Sequence, residues 1–241
     1  MSKTNLVITR ETIHRLAKDV KQMMKDPLDE NGIYYKHDDT DMLKGLAMIV
    51  GQQDTPYYGG YYFFLFHFPP DYPFSPPKVS FLTNGDGVRF NPNLYINGKV
   101  CVSILNTWAG EQWSSCQTIR SILLAISTLL CKDPLLNEPG FTKKHRDFQN
   151  YTNIIEFKNI EIAVMKMITK QTPYFRNEFE CFEEYMKIEF EKNKLGIRDF
   201  LIRKKDEFLK PMHFRIQLYK MNPDTIYDYN KLFEEFCNVI L

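Results

Sequence analysis

The sequence lacks the features that mark membrane-spanning, secreted and zinc-binding proteins. It has no apolar run of about 18 residues, its first eleven residues contain no apolar signal-peptide core, and its five cysteines include no Cys-x-x-Cys pair. These absences predict no membrane span, no leader, no metal site and no disulfide framework. Free thiols are typical of a reducing compartment, so we expect a soluble protein of the cytoplasm or nucleus.

An excess of charge of either sign is also absent. The 241 residues include 31 Lys and Arg against 30 Asp and Glu, which leaves a formal charge of +1. Nucleic-acid-binding domains usually carry a basic excess, so we expect no nucleic-acid partner. Hydrophobic residues make up 44% of the chain and charged residues 25%, values typical of a globular protein with a sizeable core.

The first element predicted is a helix over residues 9–24, with Thr9 as its N-cap. Apolar residues recur at helical spacing and predict one buried stripe, formed by Ile13, Leu16, Ala17, Val20 and Met24. A second stripe is basic and consists of Arg10, His14, Lys18, Lys21 and Lys25. From the residues alone, this basic stripe is either a solvated face or a surface for a partner.

A β region follows the first helix. Short aromatic or β-branched runs, separated by Asp, Gln and Gly clusters, predict four strands at 32–36, 43–50, 61–68 and 79–82. The third run is apolar on both faces, which indicates a strand covered on each side. The loop over 68–77 contains five prolines, so it is rigid and is either a recognition surface or a structural corner.

Helical patterns dominate the second half of the chain. Residues 117–131 are apolar nearly all round and predict a buried helix, and residues 143–169 predict a long amphipathic helix. After residue 172 the composition becomes rich in Glu, Lys, Phe and Tyr at helical spacing, which predicts two or three further helices in a partly separate lobe.

The segment with the clearest chemical meaning is 90–101. Cys101 follows an Asn-Gly turn, where we expect an accessible thiol, and Asn93 lies eight residues earlier. A side-chain amide near a reacting sulfur can stabilise an oxyanion during acyl transfer. No histidine is near in sequence to act as a base, so the pattern favours a thiol that carries an acyl group. Taken alone, it also fits an inert buried cysteine.

The order of these motifs resembles the ubiquitin-conjugating enzymes over about residues 9–172. The resemblance rests on a helix, a four-strand meander and a series of motifs in the family's order, namely Pro56–Phe63, His67–Lys78, Asn-Pro-Asn at 91–93, Asn97–Cys101, and Trp113-Ser114 before a buried helix. The Asn-Pro-Asn motif, the run at 102–108, the segment 137–141 and the helical tail resemble the larger Z-type subfamily.

The resemblance implies an α+β ubiquitin-conjugating fold, in which a four-stranded antiparallel meander is flanked by helices and followed by a C-terminal helical extension. It divides the chain into a tail at 1–8, a conjugating core at 9–172 and the extension at 173–241. It implies no cofactor and no metal.

The resemblance also implies the catalytic residues. Cys101 matches the nucleophile that accepts ubiquitin, or a ubiquitin-like protein, as a thioester from an activating enzyme and passes it to a substrate lysine, usually with a ligase. Asn93 matches the residue assigned to oxyanion stabilisation or loop support. Glu138 matches an acidic residue that orients the incoming lysine, and a carboxylate there would help deprotonate an amine of ordinary pKa about 10.4.

Two partner surfaces are implied in the same way. Arg15 and Lys18 match positions that meet the activating enzyme, and Phe74, Ser115 and Cys116 match two loops that ligases contact. The chain departs from the family pattern at Asn91, where histidine is usual, at Ser115, where proline is usual, and in a longer loop between Cys101 and Trp113. We expect the four cysteines other than Cys101 to be structural.

Two other readings remain open at this stage. The chain could be a catalytically inactive, ubiquitin-binding scaffold of the same fold, although Cys101 is present. The extension could instead be the functional part, with the core as its carrier. Deleting 173–241 would separate these roles if charging survived and partner selection were lost. The sequence does not specify which modifier is carried.

Overall fold

A four-stranded antiparallel sheet forms the centre of the computed structural model, which describes residues 7–219, 221 and 225–240. The strands, hydrogen-bonded in chain order, are β1 (Ile33–His37), β2 (Lys44–Val50), β3 (Tyr61–His67) and β4 (Lys78–Phe81). The predicted α+β fold with a four-strand meander is therefore confirmed, with strand ends that differ from prediction by one residue. Most of the predicted tail at 1–8 lies outside the described residues.

The first helix, α1 (Arg10–Lys25), begins at the predicted N-cap, because the Thr9 hydroxyl accepts the Thr12 backbone N–H at 3.1 Å. The predicted apolar stripe is wrong in part. The buried residues are Thr12, Leu16, Asp19 and Met23, whereas Met24 is 79% exposed. Thr12 and Asp19 are buried because each has a hydrogen-bond partner, the Pro70 carbonyl and Arg15 respectively. The spacing of apolar residues cannot predict the burial of such polar ones.

The buried helix of the second half is α2 (Ile119–Ser127), which is shorter than the predicted 117–131. It begins with a capping box, in which the hydroxyls of Thr118 and Ser121 each accept the other residue's backbone N–H. Its apolar side chains pack beneath the sheet in the common core. The rings that β3 directs to this face include Tyr62, which lies 5.5 Å from Tyr57 and 5.7 Å from Phe90.

The opposite face of the sheet is covered by the C-terminal extension, which therefore shares the core and does not form a separate lobe. Phe179, in a short 3₁₀ helix (Asn177–Phe182), stacks on Phe63 of β3 with ring centroids 3.8 Å apart. The Tyr61 hydroxyl donates to the Met186 carbonyl at 2.9 Å. Burial on both faces explains why β3 is apolar from Tyr61 to Phe66, before its exposed last residue, His67.

The remaining helices are α3 (Phe148–Lys158), which continues as a π-helical segment (Asn159–Lys166), and then α4 (Glu183–Glu207) and α5 (Tyr229–Ile240). Two or three helices were expected in the extension, and its described residues form two α-helices together with the 3₁₀ helix. Tyr229 of α5 packs against Phe157 of α3 and Phe208, at 5.1 Å and 5.5 Å between ring centroids. Among the described residues, no helix combines the length and apolar character that a membrane span requires.

Candidate active site

The Asn-Pro-Asn motif forms a turn around a buried asparagine. Asn91 donates its side-chain N–H groups to the Tyr57 hydroxyl at 2.9 Å and to the Leu129 carbonyl at 2.6 Å. Its side-chain oxygen accepts the backbone N–H of Asn93 at 3.0 Å. The Tyr57 hydroxyl in turn donates to the Phe90 carbonyl at 2.7 Å. This first asparagine therefore joins the motif to the segment after α2.

Asn93 and Cys101 are joined by two hydrogen bonds. The Cys101 backbone N–H donates to the Asn93 carbonyl at 2.9 Å, and Asn93 Nδ2 donates to the Cys101 carbonyl at 2.7 Å. The Asn93 side-chain oxygen is buried and has no hydrogen-bond partner among the described residues. Of the two roles that the family resemblance implies for Asn93, this geometry corresponds to loop support.

Cys101 itself is only 1% exposed, so the expectation of an accessible thiol is wrong for this conformation. The loop that follows Cys101 folds back onto the neighbouring residues of the chain. The Thr107 hydroxyl accepts the Val102 backbone N–H at 3.0 Å and donates to the Val100 carbonyl at 2.8 Å. These bonds fold the long loop back onto the two residues that flank the cysteine. An Asn-Gly turn exposes only the residues at its own tip, and the position of a later loop cannot be inferred from it.

Glu138 directly follows a short 3₁₀ helix (Pro134–Asn137), whose last residue contacts Asn91. Asn137 Nδ2 donates to the Leu129 carbonyl at 3.1 Å and is 3.4 Å from the Asn91 side-chain oxygen. A continuous series of hydrogen bonds therefore runs from Cys101 through the two asparagines of the motif to the residue beside Glu138. The predicted site residues Cys101 and Asn93 belong to this network, and Glu138 directly follows its last member, Asn137.

Sequence reasoning missed one residue that contacts a predicted site residue, namely Tyr219, which bonds Glu138. The Tyr219 hydroxyl, from the extension, donates to Glu138 Oε2 at 2.6 Å. The Arg89 guanidinium lies over the Tyr219 ring, 4.3 Å from its centroid, and over the Tyr95 ring, 3.7 Å from its centroid. Arg89 donates to the Pro92 carbonyl within the Asn-Pro-Asn motif. No sequence signal could find Tyr219, because it is 81 residues from Glu138 and lies outside any helix or strand.

Comparison with known proteins agrees with this architecture. Residues 15–161 match the family model described as ubiquitin-conjugating enzyme. The match covers more than half of the chain and includes Asn93, Cys101 and Glu138. The chain belongs to the ubiquitin-conjugating enzyme family.

Relatives within the family include proteins named ubiquitin-conjugating enzyme E2 Z. The Xenopus tropicalis protein is 43% identical over 163 residues, which are 66% of this chain and 51% of the relative. The human protein is 44% identical over 162 residues, which are 66% of this chain and 45% of the relative. The chain spans about half the length of these relatives. The predicted resemblance to the Z-type subfamily of conjugating enzymes is confirmed.

A more distant relative is the probable ubiquitin-conjugating enzyme E2 R521 of Acanthamoeba polyphaga mimivirus. It is 32% identical over 185 residues, which are 71% of this chain and 13% of the relative. This ubiquitin-conjugating domain therefore also occurs within proteins much longer than the present chain.

The two α1 residues that the family pattern assigns to the activating enzyme have different surroundings. Lys18 is exposed, whereas the Arg15 side chain is only 17% exposed. Arg15 pairs with Asp19 at 2.9 Å and donates to the Ser115 and Gln117 carbonyls. Arg15 therefore connects α1 to the loop before α2, and Lys18 is the one of the two that presents its charge to solvent.

The three residues that the family pattern assigns to ligases are all exposed. Phe74 is 62% exposed at the tip of the proline-rich loop, and Ser115 and Cys116 lie on the loop before α2. Trp113 connects these loops, because its indole N–H donates to the Pro73 carbonyl at 2.8 Å. The structure thus brings the two predicted segments into one surface of this ubiquitin-conjugating domain.

The other thiols are not uniformly buried. Cys116 and Cys181 are exposed, so burial gives no support to a structural role for them, and that role stays a prediction. Cys131 and Cys237 are half-buried, and burial raises the pKa of the Cys131 thiol above its usual value. Within residues 7–219, 221 and 225–240, no group of three His, Cys, Asp or Glu side chains has the arrangement needed to hold a metal ion.

Proposed function

We propose that the chain is an active ubiquitin-conjugating enzyme that carries ubiquitin, or a ubiquitin-like protein, as a thioester on Cys101 and transfers it to a substrate lysine, usually with a ligase. The observation that carries the proposal is the pair of hydrogen bonds between Asn93 and Cys101, at 2.7 Å and 2.9 Å, in a chain of this family. They fix the cysteine beside the asparagine that the chemistry requires.

Charging would be an exchange between thioesters. The Cys101 thiolate attacks the carbonyl carbon of the modifier's C-terminal thioester on the activating enzyme, and the cysteine of that enzyme leaves as a thiolate. The proton of the Cys101 thiol passes to solvent. Because Cys101 is buried, the residues around it have to move before the modifier's C-terminus can reach the sulfur, and the loop that Thr107 bonds to Val100 is the candidate. The exposed Lys18 on α1 supports docking of an activating enzyme nearby.

Transfer would be an aminolysis. A lysine amine attacks the thioester carbonyl, the C–S bond breaks, and Cys101 leaves as a thiolate while the amine loses a proton. A free lysine with a pKa of about 10.4 is almost entirely protonated at neutral pH, so the site must favour the neutral amine. The Glu138 carboxylate supports this role because its residue directly follows Asn137, the last member of the hydrogen-bonded series that includes Cys101 and Asn93.

Asn93 would serve both steps. One N–H of its amide holds the Cys101 carbonyl, and the second N–H can donate to the oxyanion of the tetrahedral intermediate. Loss of such a donor typically costs about 3–4 kcal/mol of transition-state stabilisation. The two roles that the resemblance implies for Asn93 are therefore compatible, because each uses a different hydrogen of the same amide.

The remaining partners follow from the same proposal. A ligase would contact the exposed surface of Phe74, Ser115 and Cys116, and the substrate would present its lysine on the Glu138 side. The protein would act in the cytoplasm or nucleus, without a cofactor or metal of its own. The modifier would be ubiquitin or a ubiquitin-like protein.

A charging assay tests the proposal. The full chain is mixed with an activating enzyme, ATP and ubiquitin or a ubiquitin-like protein, and the products are separated without reductant. We expect an adduct that thiols cleave, a thiol-resistant oxyester with Cys101→Ser, and no adduct with Cys101→Ala. The matched control is Cys181→Ser, which removes an exposed thiol from the extension and should charge normally. Absence of a thiol-sensitive adduct with every activating enzyme and modifier would contradict the proposal.

A catalytically inactive, ubiquitin-binding scaffold is the second candidate, and the burial of Cys101 is the observation that favours it. The two candidates differ in the same assay, because a scaffold binds ubiquitin without forming an adduct. Binding measured for an uncharged chain, equal for the wild type and Cys101→Ala, combined with no adduct for either, would establish the scaffold.

A further inference from the structure

Tyr219 is the one extension residue with a hydrogen bond to a predicted catalytic side chain among the described residues. Its hydroxyl donates to Glu138 Oε2 at 2.6 Å, and its ring lies over Arg89, which binds the Asn-Pro-Asn motif. The Tyr219 side chain therefore contacts Glu138 directly and the Asn-Pro-Asn motif through Arg89.

The segment that carries Tyr219 is fixed along the start of α3. The Gln217 backbone N–H donates to Asp147 Oδ2 at 3.1 Å, and Asn150 Nδ2 donates to the Arg215 carbonyl at 3.0 Å. Arg146 donates to the Gln217 side chain. These three contacts, made by residues 146–150, hold this part of the extension in one position. The approach of Tyr219 to Glu138 is therefore set by the fold.

The backbone of Tyr219 supports a specific role. Its φ of 60° lies in the left-handed region, which bulky residues rarely occupy because the Cβ crowds the backbone. Such a conformation persists only where surrounding contacts offset its cost, and it is found at functional sites more often than elsewhere. Here the offsetting contacts are those with Glu138, Arg89 and Tyr151, whose ring lies 5.7 Å away.

We propose that Tyr219 is a positioning residue for aminolysis, supplied by the C-terminal extension, which holds the Glu138 carboxylate in the orientation that receives the substrate lysine. The phenol occupies Oε2 and leaves Oε1 for the amine. Burial, followed by the bond to Glu138, raises the pKa of Tyr219, so the phenol remains a donor at neutral pH. This inference rests on the proposed function, because it assigns a role in the step that discharges Cys101.

Single-turnover discharge tests the inference. Wild-type protein and Tyr219→Phe are charged, activating enzyme is stopped, and thioester loss is followed over a range of free lysine concentrations. Tyr219→Phe keeps the ring and loses only the hydroxyl. We expect about tenfold slower discharge at saturating lysine, as for a lost hydrogen bond to a charged group, with less than a twofold change in the half-saturating concentration.

Two comparisons make the result specific. In a Glu138→Ala background, Tyr219→Phe should cause no further slowing, because its effect passes through the carboxylate. The matched control is Tyr174→Phe, which removes another extension phenol bonded to a carboxylate, Asp86, at 2.7 Å and should discharge like the wild type.

The possible outcomes separate the inference from the proposed function. A wild-type chain that never charges overturns both. Normal charging with Tyr219→Phe discharging as fast as the wild type overturns the positioning role alone. Faster discharge also overturns it, because the phenol would then block Glu138. Equal slowing with and without Glu138 would show that the hydroxyl acts elsewhere.

Discussion

The two sides of the candidate active site are built over very different lengths of chain. On the cysteine side, the bonds among Asn91, Asn93 and Cys101 join residues that are two and eight positions apart. On the lysine side, which contains Asn137 and Glu138, Asn137 bonds Leu129, eight positions away, but its contact with Asn91 spans 46 positions and the bond from Tyr219 to Glu138 spans 81. Short motifs are therefore sufficient to describe the first side, whereas the second depends on the fold of the whole chain.

The largest expected effect concerns the contact that makes the extension part of the fold. Phe179→Ala removes the ring stacked on Phe63 and should lower the free energy of unfolding by about 3–5 kcal/mol. Denaturant unfolding measures this value. The exposed Leu209 in the same extension is the control, and Leu209→Ala should change stability by less than about 0.5 kcal/mol. A small effect of Phe179→Ala would mean that core and extension are energetically independent.

This contact also changes how the extension is studied. Deleting 173–241 would expose Phe63, and it would remove the acceptor of the Tyr61 hydroxyl, on the covered face of the sheet. A loss of activity in that deletion could therefore result from unfolding of the core rather than from a missing function of the extension. Point variants such as Tyr219→Phe separate the two.

The second effect concerns the residue that joins both sides. Asn91→Ala removes donors to Tyr57 and Leu129 and an acceptor for Asn93, so it should lower the free energy of unfolding by about 2–4 kcal/mol. Discharge to free lysine should slow with it, because both sides lose their common anchor. Asn97→Ala, at an exposed asparagine before Cys101, should have less than one third of this effect on stability. Equal losses in the two variants would refute a central role for Asn91.

The third effect is confined to the cysteine side. Thr107→Ala removes the hydroxyl that ties the following loop to Val100 and Val102, on either side of Cys101, and should increase the alkylation rate of the Cys101 thiol at least fivefold. Mass spectrometry of the Cys101 peptide, normalised to the exposed Cys116, gives the rate. Thr128→Ala removes a comparable hydroxyl-to-carbonyl bond elsewhere and should leave the rate unchanged. No acceleration in Thr107→Ala would mean that another part of the chain buries Cys101.

The smallest effect lies outside both sides, at a histidine with only local partners. Burial lowers the pKa of His37 below its usual value of 6.5, and the ring bonds the Tyr35 hydroxyl and the Met42 carbonyl. The folded state then binds fewer protons than the unfolded state below about pH 6.5, so stability should fall as pH falls through that range. Denaturant unfolding at several pH values gives the slope of the unfolding free energy against pH, and this slope should be smaller for His37→Gln. An unchanged slope would rule out His37 as the source of the pH dependence.

Most of the fold could be predicted because it is recorded in local patterns. Strand β3 is apolar on both faces, and Thr9 and Thr118 cap the helices that they precede. The buried face of α1 was predicted less well, since Asp19 is buried by virtue of its bonds to Arg15 and Tyr72. Apolar periodicity contains no information about such polar partners.

The candidate site shows the same division. Asn93 and Cys101 could be paired from their spacing and the family motif, and their contact is direct. The burial of Cys101 could not be predicted from the Asn-Gly turn that precedes it, and the contact of Tyr219 with Glu138 depends on how the extension crosses α3. These features arise from tertiary packing between segments whose own sequences carry no signal for one another.

The most direct test of the whole account maps the charged thiol in the wild-type chain. After charging, the protein is unfolded in denaturant at mildly acidic pH and free thiols are alkylated. The thioester is then cleaved by exchange with an excess of small thiol, and each of the five cysteine peptides is quantified by mass spectrometry. If the modifier is carried on Cys101, we expect Cys101 alone to be protected from alkylation in the charged fraction. Protection of Cys116 or Cys181, or an adduct that leaves Cys101 alkylated, would contradict it.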